Sequence, residues 1–281
     1  MKCLFCRGEM DPVNAPFGTH PGCDMKFMPA EDQVDPFADM LKAQLVNMVK
    51  WAEKQNPRAN QELIGPSEIG ALCDRRIGYR IAGITACNTE FDPWPMIMGT
   101  AIHSWLDSAV TAWMTEHGEQ TWSTETRLII DEFVEGHADL YSHDHQAVID
   151  YKGAGPDVMK KVRKDGPPVG YQIQTHVYGY GFEQKGFPVE KVCLAFLPRA
   201  GWLKDMYVWC APYQRDVARG AIARVQLLAQ KLLNLDILTP GNESLWEKVE
   251  AFPSNDCGWC PFYDPGRDPE QGADNTGCPG R

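Results

Sequence analysis

Asp139, Asp150 and Lys152 lie in the stretch Gly136 to Lys152, GHADLYSHDHQAVIDYK, and could assemble a hydrolytic metal site. The pattern predicts two short strands joined by a polar turn. Strand residues i and i+2 point to one face, so Asp150 and Lys152 share a side, with Val148 and Ile149 holding the strand in a core. A preceding strand paired beside it would bring Asp139 to the same spot. Two carboxylates and an amine at one point can bind a divalent cation and hold or activate a water, which is the equipment for hydrolysing a phosphodiester. Alone, Asp-x-Lys is more often a surface ion pair on an edge strand. The flanking elements have to decide.

Residues 36–56 place Phe37, Met40, Leu41, Leu45, Met48 and Val49 at helical spacing, predicting a connector helix that starts at Asp35 or Pro36 and turns its methionines to a core. Ser67 is the expected N-cap of a helix carrying Cys73, Arg75, Arg76 and Tyr79. After a proline-rich break at 91–96 comes MIMGTAIHSWLDSAVTAWMTEHG, a helix in which Gly99 permits close packing and His103 follows one turn later. A lone helical histidine is usually structural, but this one precedes the candidate strands. Three strands are expected from TWSTETRLIID, FVEGHADLY and QAVIDYK, with Glu125 able to face the same edge and Gly136 allowing a bulge or close approach. The run Lys160, Lys161, Arg163, Lys164 reads either as a basic lip beside the acidic site or as a solvated helix face. GPPVGYQIQTHVYGYGFEQKG predicts a helix with Gln174 and Tyr178 on one face at i,i+4. KVCLAFLPRA and WLKDMYVWCA predict a β-hairpin, Ala211–Leu235 a long amphipathic helix, and 240–256 a shorter helix and loop. The Gly-, Pro- and Asp-rich tail needs something to tie it down.

With 281 residues, 43% hydrophobic and 10% aromatic, the composition is that of a packed globular protein, either one large domain with appendages or two small ones. No apolar run approaches the ~18 residues of a membrane span, and MKCLFCRGEM lacks a signal-peptide hydrophobic region. A cytoplasmic location without membrane partners is expected. The net charge of −11 opposes non-specific nucleic-acid binding by the surface at large. In that compartment ten cysteines are not expected to form structural disulfides. Their clustering at both ends reads as metal binding. Cys3, Cys6, His20 and Cys23 form a four-ligand set for a structural zinc ion, in a segment too short to fold on its own core. Cys257, Cys260 and Cys278 mark the other end. Cys73 alone reads as a small buried apolar residue, and Cys87, Cys193 and Cys210 read as packing residues.

Taken in order, Gly99-x3-His103, Gly136-x2-Asp139, Asp150-x-Lys152 and Gln174-x3-Tyr178 run along a histidine helix, three strands, a Gln-x3-Tyr helix, two strands and a final helix. This resembles the PD-(D/E)XK nuclease superfamily and, within it, the RecB-type exonucleases. Cys73 ahead of that core, with Cys257-x2-Cys260 and Cys278 behind it, looks like the iron–sulfur exonucleases of the AddB and CRISPR-associated RecB-like group, often encoded by phages. The resemblance covers roughly Ser67 to Cys278. Cys278 lies farther from Cys260 than in the usual pattern, but a long loop closes at modest entropic cost.

The resemblance implies an α/β, restriction-endonuclease-like core, a mixed sheet flanked by helices, over residues 61–281. Outside the resemblance, the residues themselves place a zinc knuckle at 1–30 and a helical connector at 31–60 before it, and a C-terminal cysteine staple would close it. Asp139, Asp150, the Tyr151 carbonyl and His103 would hold magnesium or manganese. Lys152 would orient or deprotonate the attacking water, and Gln174 and Tyr178 would position the DNA strand. Cys73, Cys257, Cys260 and Cys278 would hold a four-iron (4Fe-4S) cluster, with zinc the rival metal for four thiolates. With no cation bound, Asp139 and Asp150 would repel, so loss of Asp150 is expected to stabilise the empty site. The implied activity is that of a metal-dependent DNA exonuclease acting on single-stranded or duplex ends in recombination, repair or phage replication, with a recombination protein or a second copy as partner. One rival is a non-catalytic, metal-stapled DNA-binding or recombination adaptor. Another is a paired-carboxylate hydrolase such as a glycosidase, which Lys152 and the basic run disfavour.

Overall fold

The structure is a computed structural model and describes residues 36–55, 63–89, 92–252 and 255–280. The expected zinc ligands Cys3, Cys6, His20 and Cys23 lie outside the described residues. The chain divides into two compact units, residues 1–56 and 57–281. In the first, α1 spans Pro36–Lys54. Its periodic apolar side chains were expected to face a core, yet Met40, Leu41, Leu45, Met48 and Val49 are exposed.

The second unit contains a five-stranded mixed sheet in the order β1-β2-β3-β4-β5. The strands are β1 (Trp122–Ile129), β2 (Glu135–Ser142), β3 (Ala147–Ala154), β4 (Lys191–Pro198) and β5 (Tyr207–Pro212). The three-strand meander and the β4–β5 pair are antiparallel, while β3 and β4 run parallel. That parallel step needs a crossover, which α5 (Pro156–Asp165) and α6 (Val169–Gln184) provide.

The main core packs Val148, Tyr141 and Val192 with Val177 and Phe182 of α6 and with Val225, Leu228 and Leu232 of α7 (Arg215–Leu235). A smaller cluster of Leu140, Tyr151, Ala195 and Leu197 is covered by Ile102, Leu106 and Val110 of α4 (Trp94–His117). Two helical layers therefore enclose the sheet, an α/β sandwich of the class expected.

Several local expectations change. Ser67 does not cap the cysteine-bearing helix. It lies inside the short α2 (Pro66–Ile69), and Cys73 is itself the N-cap of α3 (Asp74–Ile81). α4 begins at Trp94, with a proline in its first turn, where the missing N–H costs nothing. Gly99 is not a packing glycine, because a Cβ there would meet nothing within 4 Å. Cys193 and Cys210 are not separate packing residues. They sit opposite each other in the β4–β5 ladder and are joined as a disulfide. Only the register makes them neighbours, and composition carries no register. Cys87 is exposed. The tail is tied down by the Tyr79 hydroxyl donating to the Gly277 carbonyl at 2.9 Å and by Trp246 Nε1 donating to Asn275 Oδ1 at 2.7 Å. Tyr79 also packs on Trp246 and Phe262, with ring centroids 4.1 and 5.1 Å apart.

Candidate active site

β2 and β3 pair from Leu140–Ile149 to Ser142–Ala147, and the described ladder goes no further. At this fork the Asp139 carboxylate stands in for a strand neighbour, its Oδ2 accepting the Tyr151 N–H at 2.6 Å. Gly136 permits β2 its path just before Asp139: a Cβ there would lie 2.5 Å from Pro66 Cδ.

Three ligand-bearing side chains meet at the fork. His103 Nδ1 on α4 lies 3.0 Å from Asp139 Oδ1. Glu125 of β1 joins them, with one ligand atom from each of His103, Glu125 and Asp139 all within 4.8 Å of one another. Glu125 has φ +40°, a left-handed conformation that a non-glycine residue holds only where its surroundings impose it. Burial disfavours the charged His103 ring, but Asp139 and Asp150 outweigh it and hold its pKa above the ordinary value.

A second cluster adjoins the first. Asp150, 1% exposed, accepts from Gln174 Nε2 at 2.9 Å. Lys152 Nζ donates to Gln174 Oε1 at 3.0 Å and lies 2.7 Å from Asp150 Oδ2. That second contact is a close, buried ion pair. Burial pushes the Asp150 carboxyl up to about 6 against the pull of Lys152. Burial also opposes the Lys152 ammonium, but Asp150 prevails and its pKa stays raised. Gln174 bridges the pair with its oxygen on the lysine and its nitrogen on the carboxylate, a role that only an amide of this orientation fills. Tyr178, one turn along α6, is buried beside Gln174, and its hydroxyl pKa is raised by burial and then by Asp150 and Asp139.

The candidate residues thus form two adjoining groups, His103–Asp139 and Asp150–Lys152–Gln174, with Tyr178 beside the second. Tyr151 contributes its N–H to Asp139, and its ring meets His103 edge-on at 6.0 Å between centroids. Two neighbours escaped the ligand and catalytic assignments. Glu125 was legible as a polar strand residue able to face the same edge, but not as a ligand. Tyr171, whose ring lies 4.7 Å below Lys152 Nζ, carried no signal beyond preceding Gln174 by one helical turn. α6 is located by a glycine contact: a Cβ on Gly70, just past α2, would lie 2.3 Å from the Gly170 carbonyl oxygen.

The flanking cysteines lie elsewhere in this unit. Cys73, Cys257, Cys260 and Cys278 line one cavity of about 680 Å³, together with Arg76 and Tyr171. The long excursion after Cys260 folds back through a Tyr263–Cys278 bridge, and the Cys278 N–H donates to Phe262 O at 2.8 Å. The buried Arg75 places Nη1 3.7 Å from Cys278 Sγ, which also accepts the Gly280 N–H at 3.4 Å. The Cys260 thiol is pushed up by burial, with Cys73 and Cys278 adding to the shift.

The structure is similar to three solved structures of low sequence identity. The crystal structure of SSO0001 aligns over 79% of this chain and 94% of that one, at 14% identity and a TM-score of 0.41. A phage-related exonuclease from Haemophilus somnus 129PT aligns over 50% and 72%, at 14% identity and a TM-score of 0.35. The alkaline exonuclease LHK-Exo from Laribacter hongkongensis aligns over 63% and 91%, at 12% identity and a TM-score of 0.45. No protein-family model and no curated protein matches the sequence. At such distances the chemistry has to be taken from the side chains. No described helix is long and apolar enough to cross a membrane.

Proposed function

We propose that this chain is a divalent-metal-dependent deoxyribonuclease acting as an exonuclease on DNA ends, in recombination, repair or phage replication. The observation that carries the reading is the meeting of a His103–Glu125–Asp139 ligand set with a buried Asp150–Lys152–Gln174 set at one strand fork. Carboxylate oxygens suit magnesium, and the His103 nitrogen makes manganese competitive. His103, Glu125 and Asp139 would hold the cation, with Asp150 and the Tyr151 carbonyl completing its surroundings. When bound, the cation lowers the pKa of water and neutralises charge on the phosphate.

The chain's own residues would do the rest. Asp150 and Gln174 fix the Lys152 ammonium beside the cation site. From there it can orient the attacking water and donate hydrogen bonds to the oxygens that gain charge in the transition state. Tyr171 covers the lysine, and Tyr178 packs behind Gln174, which limits the rotamers open to the amide. Losing these supports would cost positioning rather than chemistry.

The donor set suits a thiolate-held group. Cys73, Cys257, Cys260 and Cys278 line one cavity, and Arg75 and the Gly280 N–H supply positive and dipolar partners for Cys278. Cys73, Cys257, Cys260 and Cys278 would hold a 4Fe-4S cluster that joins α3 to the tail, and Cys3, Cys6, His20 and Cys23 a separate zinc ion. The alternative, a metal-stapled DNA-binding or recombination adaptor without catalysis, has no use for Asp150. Burying a carboxylate at 1% exposure is costly even with Lys152 and Gln174 as its partners.

Incubating anaerobically purified protein with end-labelled single- and double-stranded DNA, with manganese, magnesium or chelator, tests the reading. Shortening from an end with a cation, and none with chelator or in Lys152→Ala, is expected. Bound but intact DNA in every lane would leave the adaptor.

A further inference from the structure

We infer that Arg75 is the buried counter-ion of the group held by Cys73, Cys257, Cys260 and Cys278, and that it raises the reduction potential of a cluster bound there. This rests on the cysteine-held cluster proposed above and not on the cleavage proposed for the fork.

Arg75 lies in the first turn of α3, two residues after Cys73. It is 3% exposed, and arginine is almost never buried so fully unless its charge is met. Its backbone N–H donates to the Glu250 carbonyl at 2.9 Å. Its side-chain nitrogens reach three different segments' atoms: Nε donates to the Val249 carbonyl at 3.2 Å, Nη2 to Glu247 Oε2 at 3.3 Å and Nη1 to Cys278 Sγ at 3.7 Å. The Glu247 side chain is 49% exposed, so water screens its half of that ion pair. The Nη1 contact is the informative one. A neutral thiol is a weak acceptor, a poor partner for a guanidinium N–H held out of water. A thiolate is a strong one. The buried cation therefore suits a Cys278 that is ionised, as a metal ligand must be.

Charge fixes the direction of the effect. Four thiolates leave the cluster they hold net negative. One-electron reduction adds a further negative charge, with no bond made or broken and no proton moved. A fixed positive charge thus stabilises the reduced form more than the oxidised one. Net charge, hydrogen bonds to sulfur and exposure are the levers that set such potentials. Arg76 also lines the cavity, but it is only half-buried, so its charge is more screened. The Gly280 N–H donates to the same sulfur at 3.4 Å and, being backbone, stays when side chains change.

Glu247 opposes Arg75 from another edge of the guanidinium, while its Oε1 accepts the Ala273 N–H at 2.6 Å and so holds the tail. Removing the two charges should move the potential in opposite directions. Loss of a purely structural contact would not.

The test is a redox titration of the anaerobically purified full chain, read by visible absorption, with iron content and melting temperature measured on the same samples. Arg75→Gln should make the cluster harder to reduce, by about tenfold in the ratio of reduced to oxidised form, or ~59 mV for one electron. Arg75→Lys keeps the charge and should recover most of that shift. Glu247→Gln retains an oxygen for the Ala273 N–H. It should make the cluster easier to reduce by about threefold, the smaller effect because the carboxylate is half in water. Should Arg75→Gln not fold, Glu247→Gln alone decides, because an absent or downward shift is incompatible with a counter-charge on Arg75. Unchanged potentials in iron-loaded variants, or shifts of the same sign in both, would overturn the inference and leave the cluster standing. Unaltered protein that is colourless and iron-free would refute the cluster, and the inference with it. Upward and downward shifts as stated, with iron content unchanged, would establish Arg75 as the counter-ion whether or not DNA is cleaved.

Discussion

The carboxylate fork and the cysteine cavity are both sets of metal-ligating side chains, but they are put together in opposite ways. At the fork the ligands lie on adjacent strands and on the helices packed against them, and each already has a partner: Asp139 with the Tyr151 N–H, Asp150 with Gln174, Lys152 with both. At the cavity a residue before α3 meets residues from the far end of the chain. The tail is held there by hydrogen bonds and by rings packed at a tilt on Tyr79. The fork is preorganised by the sheet that must exist for the protein to fold. The cavity depends on a long-range closure that a metal group would reinforce. Removing a fork residue should therefore cost chemistry first, and removing a cavity residue stability first.

The largest effect should come from Asp150→Asn or Lys152→Ala, which should lower cleavage of end-labelled DNA by on the order of 10³-fold while melting stays cooperative. Asp150→Ala sharpens the point. Repulsion between two carboxylates would make it stabilising, but here it strips Lys152 and Gln174 of their partner. It should destabilise the metal-free protein by about 3 kcal/mol, visible as a lower denaturation midpoint. A higher midpoint would mean that like-charge repulsion dominates the empty site.

Next in size, Cys73→Ser and Cys278→Ser should remove iron and visible absorption together. Each should also lower the melting temperature by several degrees, at roughly 2–4 °C per kcal/mol for a unit of this size. Elemental analysis of the same samples checks this. Protein that is colourless and holds only zinc despite oxygen-free handling would refute the cluster and leave the fork untouched.

Smaller still, Tyr79→Phe removes the hydrogen bond to Gly277 and should cost about 1 kcal/mol while iron content stays unchanged. A loss of iron would show that the tail's own contacts, and not the sulfurs alone, set the cavity.

The smallest effect concerns pH and belongs to neither region. His176 is buried, its Nδ1 accepts the Gln214 N–H at 3.2 Å, and burial lowers its pKa. Its neutral form is favoured by folding. Its contribution is thus complete above the ordinary value near 6.5 and is lost as pH falls through the lowered one. His176→Gln should flatten the decline in melting temperature on acidification below that value. An unchanged decline would place the acid sensitivity at other groups.

The amino-acid sequence by itself determined the order of elements and the residue types at the fork. Period-two and helical patterns are local, and they marked all five strands, the histidine helix and the Gln-x3-Tyr helix. It also marked cysteine clusters at both ends, because spacing within C-x2-C is local. What it could not carry was register and close approach. The Cys193–Cys210 disulfide exists because those residues face each other in the β4–β5 ladder, and Gly99, an expected packing glycine, meets nothing while Gly70 and Gly136 do. Glu125, expected only to be able to face the same edge, lies with His103 and Asp139 in the folded chain. Tyr171 covers Lys152 only because α6 is set down at the Gly70–Gly170 contact. Each depends on where two distant segments come to lie, and it is long-range packing, not local pattern, that places them.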